Sequence, residues 1–203
     1  MRKRRKAEAW ATSDPGRSSY VIAVLDANVL YPAPLRDFFL WQAASGAFAA
    51  RWTDAIHDEW IRNLLTNRPD LSREHLQRTR RLMDENVDGV PVVGYEHRIE
   101  ALELPDRDDR HVLAAAIECG ASYIVTANLK DFPEETLTSH GIRAAPPDEF
   151  GLLLLERAPG AVGRAAREHW KSLCHPSKSR AEYLETLERC GLERTSRILG
   201  EHL

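Results

Sequence analysis

The sequence predicts an α/β protein with a parallel sheet in three layers, Rossmann-like in plan, and a small C-terminal helical extension. Residues 21–25, "VIAVL", are apolar and largely β-branched without alternation, as in a strand covered on both faces. The stretch "ASYIVTA" at 121–127 repeats that pattern after Gly120. Between the two lie amphipathic helical segments, and strands that alternate with helices imply right-handed crossovers.

Residues 1–19, "MRKRRKAEAWATSDPGRSS", are expected to be a flexible basic arm. They have the basic front of a signal peptide, but the only apolar run that follows is short and reaches Asp26. Such an arm suits contact with RNA or DNA, although a solvated tail is the simpler explanation. After the strand at 21–25 come a helix in "LRDFFLWQAASG" stopped by Gly46, a helix from Thr53 in "TDAIHDEWIRNLL", and a third over 71–86. "VPVVGY" at 90–95 is expected to be a strand, followed by a helix from Asp108 to the stop at Gly120. The main domain is placed at 20–150.

From residue 151 the pattern turns helical, with breaks at Pro159, "CHPSKS" and Gly191. Ser179 followed by Glu182 is a capping box, which predicts a helix over 180–190. Trp170, Tyr183, Leu184, Leu187 and Ile198 give the extension, 151–203, an apolar face to dock on the main domain or on a partner.

The 203 residues are 43% hydrophobic, enough for a core, and the net charge of −3 conceals 28 Lys and Arg. A mildly acidic balance does not exclude a nucleic-acid partner, since a local basic patch suffices. Three cysteines without a CxxC pair fit a reducing cytoplasm and carry no zinc signature. No apolar run approaches the roughly 18 residues of a membrane span, so no membrane partner is expected.

The chemistry lies in the acids. In an open α/β sheet ligands collect beyond the carboxyl ends of the strands. Asp26 ends the first strand and 126–131 ends a later one, so both fall on one edge. At roughly 100° per residue, Glu59 and Asn63 border the stripe of Ile56, Trp60 and Leu64, while Asp58 lies nearly opposite. Asp109 shares a face with Val112, Leu113 and Ala116, and Asp108 is rotated away. Asp108 and Asp109 would also serve as helix caps, and Glu59 as an ordinary boundary residue. Together, Asp26, Glu59 and Asp109 would repel and raise one another's pKa unless a cation sat among them. An oxygen-only donor set suits Mg²⁺, with Mn²⁺ as a substitute.

The ordered motifs "VIAVLDANVL", "TDAIHDEWIRNL" and "LPDRDDRHVLAAAIECGASYIVTANLKDF" resemble the PIN-domain nucleases, most closely the VapC-type ribonuclease toxins of bacterial toxin–antitoxin pairs. The resemblance spans about 21–150 and implies a Mg²⁺-dependent endoribonuclease that leaves 5′-phosphate and 3′-hydroxyl ends. It carries the metal-binding acids onto Asp26, Glu59 and Asp109. The fourth acid of many members follows the last long strand as TxD. Asn128 occupies that position here and Asp131 is the available carboxylate, expected a loop's length past the sheet edge and farther from the ion than Asp26 or Asp109. Asn28, Thr126 and Asn128 are the expected substrate contacts. Arg36, Arg62, Arg73, Arg78, Arg80 and Arg81 are further candidates for RNA binding. The expected partners are RNA and a cognate antitoxin protein, with a homodimer left open. Competing assignments are a stand-alone PIN nuclease in RNA maturation and a non-catalytic PIN-like binding module. An aspartyl-phosphate phosphatase of the haloacid dehalogenase kind needs a second Asp two residues after the first, where this chain has Asn28.

Overall fold

The computed structural model describes residues 21–203; the N-terminal basic arm lies outside the described residues. Four parallel strands form one sheet: β1 (Ile22–Leu25), β2 (Ala49–Arg51), β3 (Tyr123–Val125) and β4 (Arg143–Ala145), in the order β2-β1-β3-β4. Ala23, Val24, Leu25, Ile124 and Val125 are fully buried, which is why the two central strands read as unbroken apolar runs. The chain leaves β1 for β2 on one side and later returns to β3 on the other. The order therefore reverses between β1 and β3, and a crevice opens beyond their carboxyl ends.

Helices α1 (Ala27–Leu30) and α2 (Ala33–Ala44) connect β1 to β2. Gly46, at φ +81°, ends this connection in the left-handed region that glycine adopts without strain. Helices α3 (Asp54–Asn67), α4 (Arg73–Asn86) and α5 (Arg110–Glu118) lead to β3, and α6 (Glu134–Thr138) leads to β4. Thr53 and Ser72 cap α3 and α4 by accepting from the amides of Ile56 and His75, both at 3.1 Å.

Sequence expectation fails at three strands. Residues 90–95 are irregular: Pro91 has no N–H to donate, Gly94 takes φ +80°, and Val93 is 71% exposed. The Val92 amide donates to the Trp52 carbonyl at 2.8 Å, and Val92 and Tyr95 are buried in the core, but no ladder forms. Conversely, β2 and β4 were not anticipated. They are three-residue edge strands, "AAR" and "RAA", with no apolar run and low β-propensity.

The C-terminal part is helical, with α7 (Pro147–Arg157) straddling the boundary expected at 150 and α8 (Pro159–Ser172), α9 (Arg180–Arg189) and α10 (Glu193–Leu199) beyond it. It docks on the main domain, where Phe150 packs against Phe39, Phe48 and Tyr123 and His169 stacks on Trp41. The capping box is present: Ser179 Oγ accepts from the Glu182 amide and Glu182 accepts from the Ser179 amide. No helix among the described residues is long and apolar enough to cross a membrane.

A buried polar network fixes α3 against α4. Asp84 Oδ1 accepts from Trp52 Nε1 at 2.8 Å and from His57 Nε2 at 3.1 Å, while Trp60 Nε1 donates to His57 Nδ1 at 2.9 Å. Since an indole can only donate, His57 is the neutral Nε2–H tautomer, and burial holds its pKa below the ordinary value. Arg80 of α4 pairs with Asp54 and Asp58 of α3. Asp84→Ala leaves two donors without an acceptor and should lower stability by about 2 kcal/mol in urea unfolding, with the m-value unchanged. An unchanged midpoint would contradict the network's role in holding α3.

Candidate active site

Asp26 follows β1 directly and is 3% exposed. Its Oδ1 accepts from the Ala27 amide at 2.6 Å, and its Oδ2 accepts from Thr126 Oγ1 at 2.7 Å and from Asn28 Nδ2. Asn28 also donates to Thr126 Oγ1 at 2.9 Å and accepts from the Ala127 amide at 2.9 Å. These bonds tie the end of β1 to the end of β3. Burial pushes the Asp26 pKa up, and the Thr126 hydroxyl and Ala27 amide pull it back.

Thr126 is fully buried and its hydroxyl is engaged with Asp26, which leaves it no exposed surface for the substrate contact expected from the sequence. Asn28 and Asn128 do reach the cleft. The Asn128 amide bonds Thr126 Oγ1 at 3.0 Å and its side chain donates to Asp131.

Asp109 takes helical φ and ψ at the start of α5 but makes no capping hydrogen bond, so its carboxylate is not used as a cap. Asp106, Asp109 and Asp131 bring carboxylate oxygens within 4.8 Å of one another. Asp106 was missed in sequence, although it lies three residues before Asp109. Its Oδ1 accepts from the Asp108 amide at 2.9 Å, an Asx turn that folds "PDRDD" back on itself. Asp131 was expected a loop's length away. A 3-10 turn over Leu129–Asp131 instead returns it to Asp109, and it is 8% exposed.

Glu59 is half-buried on α3 and Asp58 is exposed, as their helical phase predicts. His111, a second residue missed in sequence, places Nε2 3.8 Å from Glu59 Oε2, and its buried Nδ1 has no hydrogen-bond partner. Asp26, Asn28, Glu59, Asp106, Asp109, His111 and Asn128 line one cleft of about 950 Å³, together with Arg62, Asn63, Asp58 and Asp108.

The electrostatics of this cleft are unfavourable without a counter-ion. Asp109 is pushed up to about 7, by burial first and then by the charges of Asp26, Asp106, Asp131 and Glu59. An all-carboxylate cluster of that spacing fits a hard divalent cation.

Two of the arginines expected to meet RNA do other work. Arg36 is 7% exposed, donates to the Leu30 carbonyl at 3.1 Å and lies over the Trp60 ring at 5.2 Å. Arg80 is held by Asp54 and Asp58. Arg73, Arg78 and Arg81 are exposed on α4 and are not among the residues that line the cleft, whereas Arg62 lines it.

Comparison with known proteins places the chain in a family. Residues 22–130, more than half of the chain, match the PIN domain, and the chain belongs to that family. Residues 147–201 match the family described as the VapC50 C-terminal domain. A relative from Mycobacterium tuberculosis named "Putative ribonuclease VapC50" is 46% identical over 72 residues, which are 34% of this chain and 42% of that protein. The aligned part therefore spans less than half of the relative. No solved structure gives a significant match.

The raised pKa of Asp109 has a defined sign in stability. Its folded value of about 7 lies above the ordinary 3.8, so its contribution is fully present below about pH 4 and is lost as pH rises through 7. In EDTA, Asp109→Asn should melt above wild type at pH 8 and together with it near pH 4. A variant that melts lower at pH 8 would contradict the repulsion.

Proposed function

We propose that the protein is a divalent-metal-dependent endoribonuclease that hydrolyses RNA phosphodiester bonds, and that it is the toxin of a cytoplasmic toxin–antitoxin pair. The observation that carries this is the carboxylate cluster of Asp106, Asp109 and Asp131 at the β1–β3 edge of a PIN domain, with Asp26 and Glu59 lining the same cleft. The match to the VapC50 C-terminal domain supports a toxin over a stand-alone PIN nuclease. Three retained core acids speak against a non-catalytic module.

Asp109, Asp131 and Asp106 would hold Mg²⁺, or Mn²⁺ in its place, with Asp26 and Glu59 as further acids facing it. A bound ion of this kind polarises the phosphate, lowers the pKa of a water and screens charge that builds in the transition state. Thr126 and Asn28 hold the Asp26 carboxylate in one orientation, and Asn128 does the same for Asp131. Asn28 and Asn128 also offer amide groups to a substrate in the cleft. No Ser, Cys or His nucleophile is required, which accords with 5′-phosphate and 3′-hydroxyl products. An antitoxin would silence the acidic cleft most simply by inserting an Arg or Lys side chain. In this scheme 20–150 carries the site and 151–203 buttresses α2.

Asp26→Asn and Asp109→Asn should each lower RNA cleavage in Mg²⁺ by about a hundredfold or more, because several kcal/mol of transition-state charge stabilisation are lost. EDTA should stop the wild type, and the exposed Asp70→Asn should cut normally. Wild-type rates in either acid variant would remove that residue from the site.

Proton linkage gives an independent check. With Asp109 near 7, Mg²⁺ binding at pH 6 should release about one proton, and at pH 8.5 far less. Calorimetry in buffers of different ionisation enthalpy measures this. Binding at pH 6 without proton release would place the ion away from Asp109.

A further inference from the structure

We infer that Arg62 anchors a backbone phosphate beside the scissile one, so that the cleft grips a single RNA strand by its phosphates and not by its bases. This rests on the ribonuclease assignment above and adds how the substrate is held. Glu59, Arg62 and Asn63 stand at i, i+3 and i+4 on α3 and all line the cleft, so one helix face carries an acid, a cation and an amide into the same space. Three residues of helix rise about 4.5 Å, which sets Arg62 back from Glu59 along the cleft wall.

Arg62 is the one arginine among the described residues lining a cleft that six acids also line. It is exposed and makes no ion pair among the described residues, although Asp58 and Glu59 are its near neighbours on α3. Arg80 takes Asp58, and the Glu59 carboxylate faces His111. A polyanion that enters such an acidic cleft needs a cation to meet it, and a guanidinium offers a phosphate two parallel hydrogen bonds.

The lining also indicates what is not read. No Phe, Tyr or Trp lines the cleft, so the large aromatic platforms on which successive bases stack are missing there; His111, whose ring nitrogen faces Glu59, is the one ring in the lining. Asp26 is recessed at 3% exposure, so a strand has to bend into the cleft, which a stiff A-form duplex does not do.

The test is fluorescence anisotropy of the full chain with labelled single-stranded oligo-U, oligo-A and oligo-C over a salt series, in Ca²⁺ to limit cutting. One lost phosphate contact on a single strand reduces the slope of log K against log salt by about 0.7. Arg62→Ala should show that reduction with all three oligomers, Arg62→Lys should keep the wild-type slope at weaker affinity, and the wild type should bind the three oligomers within a few-fold. An unchanged slope in Arg62→Ala, or a strong base preference lost with it, would overturn the inference and leave the ribonuclease assignment standing. A wild-type chain that binds and cuts no RNA would sink both.

Discussion

The hydrogen bond from Thr126 Oγ1 to Asp26 Oδ2, 2.7 Å long, joins the ends of the two central strands at the place where strand order reverses. The rest of the site is arranged around it. Asn28 braces the same carboxylate and reaches the Ala127 amide, and Asn128 extends the chain of bonds from Thr126 to Asp131. Parallel β1–β3 pairing sets the register, with Leu25 opposite Val125, so that Asp26 and Thr126 emerge side by side. A one-residue slip of either strand against the other would leave the two side chains on opposite faces of the sheet. Two apolar strands thus deliver a buried acid to a polar crevice at a fixed position.

Around that point the fold concentrates negative charge. Asp109 comes from the start of α5, Asp131 from the turn after β3 and Glu59 from α3, which the Asp84–His57–Trp52 network and Arg80 hold against α4. Asp109, near 7, carries the strain of this arrangement. Such a cluster is held in place by the stability of the elements behind it, and its repulsion is relieved by a cation. In the function proposed, the field that would attract a metal ion would also repel RNA, and Arg62 stands in the cleft to offset that repulsion.

What could be read in the sequence followed from how fully each element is buried. β1 and β3 are covered on both faces and announce themselves as apolar runs, and the phases of α3 and α5 separated Glu59 from Asp58 and Asp109 from Asp108. β2 and β4 were illegible because short edge strands of Ala and Arg have no periodic signature, whereas 90–95 imitated a strand that Pro91 and Gly94 prevent. Asp106 and Asp131 depend on turns, whose fold-back no helical or strand period encodes. Arg36 and Arg80 read as surface cations because tertiary contacts alone, the Trp60 ring and the Asp54 and Asp58 carboxylates, decide where they go.

In the function proposed, acids from β1, α3, α5 and the turn after β3 surround one divalent ion. Crystals of the full chain grown with Mn²⁺ and measured at the manganese absorption edge test it most directly. An anomalous peak is expected in the cleft, bonded to Asp109 and at least one of Asp26, Asp106 and Asp131, at distances of about 2.0–2.3 Å. A cleft without such a peak at saturating Mn²⁺, or a peak held by residues outside it, would rule out this arrangement.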